Sequence, residues 1–352
     1  MDHGLAWRVK YEGLPETAGR LTERVTWKHR RNNKDSVAIH VFGLGEKDGA
    51  QSHDEIIAKL EQDPNFSFQF GYGDQFNDPY HHTAIQYQID RVTSKLPLLK
   101  VWSTDQLTAK AALARKPVAY KSEDGKVSDI VKLVVKDLEL ETDLIEDSLA
   151  CGEFSKLIVP LDWDLLRFVR EHLIPRSGSH FTLYTNDGKK ASFCSLGYQM
   201  KDFKPESTEL RRVIGLNSQF RAARTGGSKL ILDGIETFTK KTFTVESEGA
   251  VPSLGTVGPM HSSDDGVRLS ANSKDAYAIM VQTRHLRHSY GAPFSVIMIG
   301  AIKPYLFPAK LSLEGTKYAT NDQTEGIVVE WNHIYKSGTY LVKATCLRDL
   351  TN

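Results

Sequence analysis

The spacing of apolar residues changes twice along this chain, and these two changes constrain the fold more strongly than any motif does. Up to about residue 102, apolar and polar residues alternate, as at Phe66, Phe68 and Phe70, which is the period of a β-strand. From about Ser103 onward, the apolar residues recur at helical spacing. After about residue 205 the strand-like pattern returns. The pattern therefore predicts an α+β, mainly β protein.

The predicted domain boundaries follow these changes. We expect residues 1–102 to form a small barrel-like β domain, and residues 103–205 to form a mixed domain of helices and a hairpin. Residues 206–352 should form a second barrel-like β domain with a helical insertion near residues 273–290. A chain of 352 residues is long enough for two or three domains that each bury a core.

The segment 157–198 marks the middle domain. Asp162 is predicted to cap an amphipathic helix, because an aspartate at this position accepts hydrogen bonds from the free N–H groups of the first turn. A hairpin over residues 181–196 should follow, since an Asp-Gly turn lies there between two apolar runs. Asp162 and Asp164 could instead form a catalytic carboxylate pair, but helix capping explains them better. In that interpretation Trp163 is a core anchor.

Other helix starts are predicted from serine residues. Ser52 and Glu55 form a capping-box pattern before a short helix over residues 54–61. Ser103 and Ser128 are predicted to cap two helices of the middle domain, because a run with helical spacing follows each of them.

The charge balance limits the classes of partner. Lys and Arg number 45 and Asp and Glu number 44, so the formal net charge is +1. This balance argues against a general nucleic-acid binder, whose affinity depends on excess positive charge, but it allows a local basic patch. Basic residues are concentrated at Arg211, Arg212, Arg221 and Arg224. We expect a solvated or subunit-contacting face there, with contact to a passing nucleic acid as the alternative.

Cysteine spacing and hydropathy predict a soluble protein with reduced thiols. Cys151, Cys194 and Cys346 are far apart, which is typical neither of a disulfide framework nor of a zinc site. The first ten residues lack the apolar core of a signal peptide, and the longest apolar stretch, residues 294–302, is too short to span a bilayer.

No residue is assigned a catalytic, cofactor-binding or metal-binding role, and the chain is predicted not to be an enzyme. The sequence contains no P-loop and no nucleophile elbow, and the Gly-Leu-Gly segment at residues 43–45 lacks the third glycine of a dinucleotide turn. His285 and His288 have a spacing that could bind a metal, but the arginines beside them favour a solvated basic helix end. His81 and His82 are predicted to lie in a loop.

Several short motifs occur in an order that is more specific than any one of them alone. They are the segments 70–73, 101–107, 128–131, 161–166, 328–333 and 340–345. In this order, and across nearly the whole chain, they resemble the baseplate hub proteins of contractile-tailed bacteriophages. They also resemble the hub part of the valine-glycine-repeat spike proteins of type VI secretion systems.

This resemblance implies a homotrimeric, non-enzymatic hub. In that family each subunit supplies two similar barrel-like domains, so three subunits match a sixfold tail tube at one face and hold a threefold spike at the other. The expected partners are the tail tube protein, the central spike protein and other baseplate proteins, and DNA and tape-measure protein would pass through the channel. The chain would be made in the host cytoplasm and reside in the virion, without stable membrane insertion. It ends soon after the second predicted barrel, which favours a stand-alone hub.

Three alternatives stay open. The chain could be the hub of a phage-derived contractile injection system. It could be a hydrolase or nuclease that uses His261, Asp264 and His285, if the fold brings them together. It could also be a receptor- or carbohydrate-binding tail module, which would expose aromatic residues. Against this, the tryptophans that lie in patterned elements are predicted to be core residues, namely Trp27, Trp102, Trp163 and Trp331.

Overall fold

The computed structural model of the chain describes most residues of its N-terminal half and the last strands of its C-terminal half. The described residues are 6–31, 34–43, 48–90, 97–114, 119–122, 125–148, 154–159, 164–174, 181–195, 198, 206–207, 213–218, 230–235, 242–246, 260–261, 293–303, 305–314 and 325–347. The helical insertion predicted near residues 273–290 lies outside them.

The strands fall into three groups along the chain. The N-terminal strands are β1 Trp7–Glu12, β2 Thr22–Arg30, β3 Ser36–Phe42, β4 Asn65–Tyr72, β5 Gln75–Phe76, β6 Tyr80–Asp90 and β7 Leu98–Asp105. The middle strands are β8 Ala119–Ser122, β9 Glu141–Ile145, β10 Phe154–Ile158, β11 Phe181–Thr185 and β12 Lys190–Ser195. The C-terminal strands are β13 Glu206–Ser207, β14 Val213–Ser218, β15 Leu230–Ile235, β16 Thr242–Glu246, β17 Met260–His261, β18 Pro293–Ile299, β19 Lys310–Ser312, β20 Glu325–Lys336 and β21 Thr339–Leu347.

The helices within the described ranges lie in the first two groups. They are α1 Glu16–Leu21, α2 Asp48–Gln62, α3 Gln106–Leu113, α4 Val127–Asp137 and α5 Leu165–Phe168, and α5 continues into a π-helical turn over Val169–Leu173. Within the described ranges, no helix is both long enough and apolar enough to cross a membrane. The prediction of an α+β, mainly β chain is confirmed.

One large sheet joins strands from the two ends of the chain. Its order is β1-β4-β6-β7-β3-β2-β20-β21-β18-β14, with β5, β13 and β19 attached beside this path. From β6 to β14, eight consecutive strands pair antiparallel with their neighbours, and we call this run the eight-strand ladder. β2 and β20 meet at its centre, so residues about 300 positions apart in sequence are direct neighbours, such as Arg30 and Glu330.

Side chains alternate across the ladder as the strand period predicts. On β2, Val25, Trp27 and His29 are buried, while Thr26 and Lys28 lie on the opposite face and stay partly exposed. The buried face packs against the aromatic side chains of β4 and forms the larger hydrophobic core. Side chains on the opposite face are partly exposed on β2, β3 and β21, and we call it the open face.

The middle region has a second core of its own. Ile130, Val131 and Val134 form the buried stripe of α4, and they belong to one cluster with α5 and the β11–β12 hairpin. The predicted hairpin is confirmed, with strands at Phe181–Thr185 and Lys190–Ser195. Gly188 in its turn has a φ of +83°, a conformation that glycine adopts without strain.

The hairpin turn also docks on the N-terminal strands. The N–H of His81 donates to the carbonyl of Asp187 over 2.8 Å, and the N–H of Gln106 donates to the carbonyl of Gly188 over 3.1 Å. A Cβ atom on Gly188 would collide with the carbonyl oxygen of His81. The turn therefore needs glycine both for its φ angle and for this close approach.

Several predicted helix caps were wrong by a few residues. Ser103 lies within β7, and Asp105 caps α3 by accepting from Thr108 N, because strand pairing continues through Asp105. Ser128 is the second residue of α4 rather than its cap. Ser52 lies within α2, which starts earlier than predicted. Asp164 caps α5 by accepting from the Arg167 N–H over 2.7 Å.

Asp162 and Trp163 lie outside the described residues. The loop predicted at His81 and His82 was wrong, because both residues belong to β6 and pair with β4 opposite Ser67 and Phe66.

Gly188→Ala is expected to lower the free energy of unfolding by about 2 kcal/mol or more, because alanine is strained at this φ and collides with the neighbouring strand. Urea unfolding gives the value. Gly215→Ala on β14 is the matched control, since a Cβ there makes only ordinary contacts, and it should change stability by less than about 0.5 kcal/mol. Equal stability of Gly188→Ala and the wild type would contradict the docked turn.

Candidate functional site

The junction of β2 and β20 holds a buried stack of rings. Trp27 lies directly opposite His333 in the strand register, and the two rings stack with centroids 4.2 Å apart. His29, two residues along β2 on the same face, also stacks on Trp27, with ring centroids 5.0 Å apart. All three side chains are buried. We call these three residues the Trp27 stack, and it ties the N-terminal and C-terminal strands together.

Further aromatic rings surround the Trp27 stack. Tyr80 on β6 lies 4.1 Å from Trp27, and Phe70 on β4 stacks on Tyr340 of β21 at 4.5 Å. The Tyr340 hydroxyl and His333 Nδ1 are hydrogen-bonded over 2.7 Å. Rings from both ends of the chain thus interleave in one core, and such pairs add stability beyond the area that they bury.

Burial keeps the histidines of this core neutral. It lowers the pKa of His29 to about 4 and that of His82 to about 3, and it holds the pKa of His333 well below its ordinary value. His29 Nε2 contacts the carbonyl of Thr185 over 2.8 Å, so this nitrogen carries the proton and donates. His29 Nδ1 and His333 Nε2 are buried without a hydrogen-bond partner among the described residues.

Two polar side chains at the end of β2 attach the middle hairpin to the ladder. His29 reaches β11 through the bond to Thr185, and Arg31 Nη2 donates to the carbonyl of Cys194 on β12 over 2.8 Å. On the C-terminal side, the N–H of Phe307 donates to Asn186 Oδ1 over 2.7 Å. The hairpin therefore contacts both β2 of the ladder and the C-terminal segment between β18 and β19.

A buried pair of aspartates fixes the start of β3 to the end of β7. The N–H of Asp35 donates to Asp105 Oδ2 over 3.1 Å, and Thr104 Oγ1 donates to the Asp35 carbonyl over 2.7 Å. Burial, followed by the charge of Asp105, raises the pKa of Asp35 well above its ordinary value. Both side chains are almost fully buried, at 5% and 4% exposure, so their geometry suits a structural role rather than contact with a substrate.

Both ends of the eight-strand ladder present open strand edges. β4 pairs with β6 only as far as Thr83, and the N–H of Ala84 still donates to the Pro64 carbonyl over 2.8 Å. Residues 84–90 have no strand beside them on that side in the described structure. At the other end, β14 pairs with β18 alone among the described strands. The β6 edge carries one charged side chain, Asp90 at its end, which pairs with Lys100 at 3.2 Å, and residues 213–218 carry none. Natural edge strands usually carry charges that block pairing with another chain.

Exposed apolar side chains accompany both edges. Ile85 is 62% exposed and Tyr87 is 40% exposed on β6, while Ile214 on β14 is 49% exposed and Ile299 on β18 is 44% exposed. Each edge therefore combines unpaired backbone donors and acceptors with exposed apolar side chains. A further β-strand that pairs with the edge would cover both. These two edges are the candidate functional site of the chain.

The structure brings together few of the residues that the sequence analysis considered for chemistry. Asp164 is a helix cap, and His261 lies in the short strand β17. Among the described residues, no group of three or more His, Cys, Asp or Glu residues could hold a metal ion. Several candidates lie outside the described residues, namely Asp264, His285, His288, Arg211, Arg212, Arg221 and Arg224.

The predicted core residues can be checked in part. Trp27 and Trp331 are buried, and Cys194 and Cys346 are buried free thiols, as predicted. Trp102 is only partly buried. The sequence analysis missed the role of His29, although its place two residues after Trp27 in an alternating strand was the available signal.

Comparison with known proteins finds similar folds but no match by sequence. No protein-family model and no curated protein matches the sequence. A tail protein from Neisseria meningitidis MC58 matches 99% of this chain and 97% of its own, with a TM-score of 0.64 and 10% identity. The 43 kDa tail protein of prophage MuSo2 from Shewanella oneidensis matches 98% of this chain and 97% of its own, with a TM-score of 0.63 and 9% identity.

A third similar structure comes from a secretion system. The c3393 protein of E. coli is described as a type VI secretion system component with structural similarity to the phage T4 tail proteins gp27 and gp5. It matches 98% of this chain and 75% of its own, with a TM-score of 0.55 and 10% identity. The chain therefore has the fold of phage tail and type VI secretion baseplate-type proteins, and the resemblance inferred from the sequence is confirmed at the level of the fold.

The buried histidines predict how stability depends on pH. Because His82 has a folded pKa of about 3 against an ordinary value of 6.5, the unfolded chain binds more protons between these values, and stability should fall as pH drops from 6.5. His82→Leu should reduce the slope of unfolding free energy against pH in that window by about 1.4 kcal/mol per pH unit.

Urea unfolding at a series of pH values measures this slope. Above pH 7 the two proteins should show the same slope, which serves as the internal control. Asp35 contributes in the opposite direction, since its raised pKa favours the folded state at low pH, but it does so equally in both proteins. Identical slopes below pH 6.5 would show that His82 is not held neutral.

Proposed function

We propose that this chain is a structural subunit of a phage-type tail tip or baseplate, in which three copies form a closed ring. The observation that carries the proposal is the eight-strand ladder, which among the described residues has an open edge at each end with few charged side chains. A contact between two different surfaces of one molecule is heterologous, and it produces a ring when the rotation closes. The fold shared with tail proteins supports this assignment.

The ladder divides evenly at the β2–β20 junction. β6, β7, β3 and β2 come from the N-terminal part, and β20, β21, β18 and β14 come from the C-terminal part. In our proposal these halves belong to two barrel-like units, residues 1–102 and 206–352, so three chains present six similar units. Six units would match a sixfold tail tube at one face, while the threefold symmetry would match a central spike at the other.

The direction of the contact between subunits follows from the order of strands. Neighbours in the ladder alternate in direction, so the first strand, β6, and the last, β14, run in opposite directions. β14 of one copy would therefore pair antiparallel with β6 of the next. This contact would join the ladders of two chains by antiparallel pairing, as the β2–β20 pair joins the two halves of the ladder within one chain.

The proposed role is non-enzymatic. The ring would line a channel for DNA and tape-measure protein in the virion and bind tail tube, spike and other baseplate proteins. The titratable groups that the fold gathers, such as Asp35, Asp105 and His29, are buried and engaged in packing, which supports a structural role. The same ring would serve in a phage-derived contractile injection system, and the similarity to the E. coli secretion component supports that second setting.

Charges placed on the open edges should prevent assembly. The wild-type chain is expected to have a molar mass three times the 39.5 kDa of one chain, measured by light scattering after size exclusion. Ile85→Lys and Ile214→Lys should each give a monomer with unchanged thermal stability, because a charged edge disfavours strand addition.

Leu133→Lys provides the matched control. Leu133 is 40% exposed on α4, away from both ends of the ladder, so this variant should remain trimeric. A wild-type chain that stays monomeric at high concentration would contradict the proposed ring, and so would edge variants that assemble normally.

A further inference from the structure

The open face of the eight-strand ladder carries a row of basic side chains. Strand pairing places Lys100 of β7 opposite His40 of β3, His40 opposite Arg24 of β2, and Arg24 opposite Lys336 of β20. These four residues lie side by side on four neighbouring strands, about 4.8 Å apart from one strand to the next. We call them the basic row.

A second, shorter set of cations lies on the same face. Lys28 of β2 is opposite Asn332 of β20, and Asn332 is opposite Lys343 of β21. The positive charges therefore extend over both halves of the ladder. They belong to one chain and do not require assembly of the ring.

Acidic side chains neutralise only part of this charge. Asp90 pairs with Lys100 at 3.2 Å, and Glu330 pairs with Arg30 at 2.8 Å. Arg24, Lys28, Lys336 and Lys343 make no ion pair with any described residue. The face thus has an excess of positive charge although the whole chain is almost neutral, at +1.

The basic row is unfavourable for the isolated chain. Like charges directly opposite each other on paired strands destabilise a sheet, and Arg24 and Lys336 are in that arrangement. Arg24 Nε is also buried without a hydrogen-bond partner among the described residues. Partial burial lowers the pKa of His40, and the charges of Arg24 and Lys100 act in the same direction while Glu23 opposes them. An anion bound over this row would reduce the repulsion between Arg24 and Lys336 and could accept a hydrogen bond from Arg24 Nε.

We propose that the basic row, with Lys28 and Lys343 beside it, contacts the phosphate backbone of a nucleic acid. An array of Lys and Arg side chains, one of which has a donor without a partner among the described residues, is an arrangement that phosphates bind. Trp102 is partly exposed two residues from Lys100 on the same face, and an aromatic ring among cations is typical of nucleic-acid contact rather than of acidic-peptide binding. The face would line the channel, a placement that rests on the proposed function, whereas the binding itself needs only one chain.

The test is a binding titration with a short fluorescent DNA duplex and with a single-stranded DNA of the same length, at several salt concentrations. The double variant Arg24→Gln/Lys336→Gln should bind about tenfold more weakly at low salt. The magnitude of its slope of log affinity against log salt should fall by about 2, about one for each phosphate contact that is lost. Arg24→Lys/Lys336→Arg keeps the charges and should bind as the wild type does.

Lys59→Gln/Lys136→Gln is the matched control, because it removes the same charge from exposed positions on α2 and α4, and its affinity should be unchanged. Wild-type protein that fails to bind either DNA at low salt would overturn the proposal, as would a basic-row variant that binds like the control. Polyglutamate of equal charge is the third probe, and tighter binding to it than to DNA would assign the row to an acidic protein instead.

The mass measurement separates this proposal from the ring. A chain that binds DNA through the basic row but remains monomeric would support the DNA contact and overturn the ring. A trimer whose DNA binding is insensitive to Arg24 and Lys336 would do the reverse.

Discussion

The pairing of β2 with β20 is the contact on which the rest of this structure depends. It connects strands about 300 residues apart in sequence, and it joins two groups of four strands into one ladder. The Trp27 stack lies on the buried side of this pair, with His29 and His333 each stacked on the indole and aromatic rings from β4, β6 and β21 around them. Because the stack is buried and its histidines are held neutral, apolar packing supports the strand pairing that joins the two ends of the chain.

Local patterns in the sequence predicted the elements better than their connections. The alternation at Phe66, Phe68 and Phe70 and the Asp-Gly turn of the hairpin are local signals, and both predictions were correct. The start of α3 was missed because Ser103, Thr104 and Asp105 can all cap a helix, and the extent of β7 pairing decides among them. His82 looked like a loop residue because its burial depends on strands that are remote in sequence.

The candidate site was less predictable than the fold. An open strand edge is a property of the whole sheet, since it depends on which strand is last in the order and on how far its neighbour extends. Nothing in the local sequence of residues 84–90 or 213–218 marks them as ends of the same ladder. The basic row is likewise visible only from the register, because Lys100, His40, Arg24 and Lys336 are scattered in sequence and meet only through strand pairing.

The central claim is that the ladder of one chain continues into the ladder of the next. An electron cryomicroscopy reconstruction of the assembled protein tests it most directly. The account predicts a threefold ring in which β14 of each copy runs antiparallel beside residues 84–90 of β6 in the next copy. A ring in which these two edges are separated, or are covered by other segments of the same chain, would contradict it.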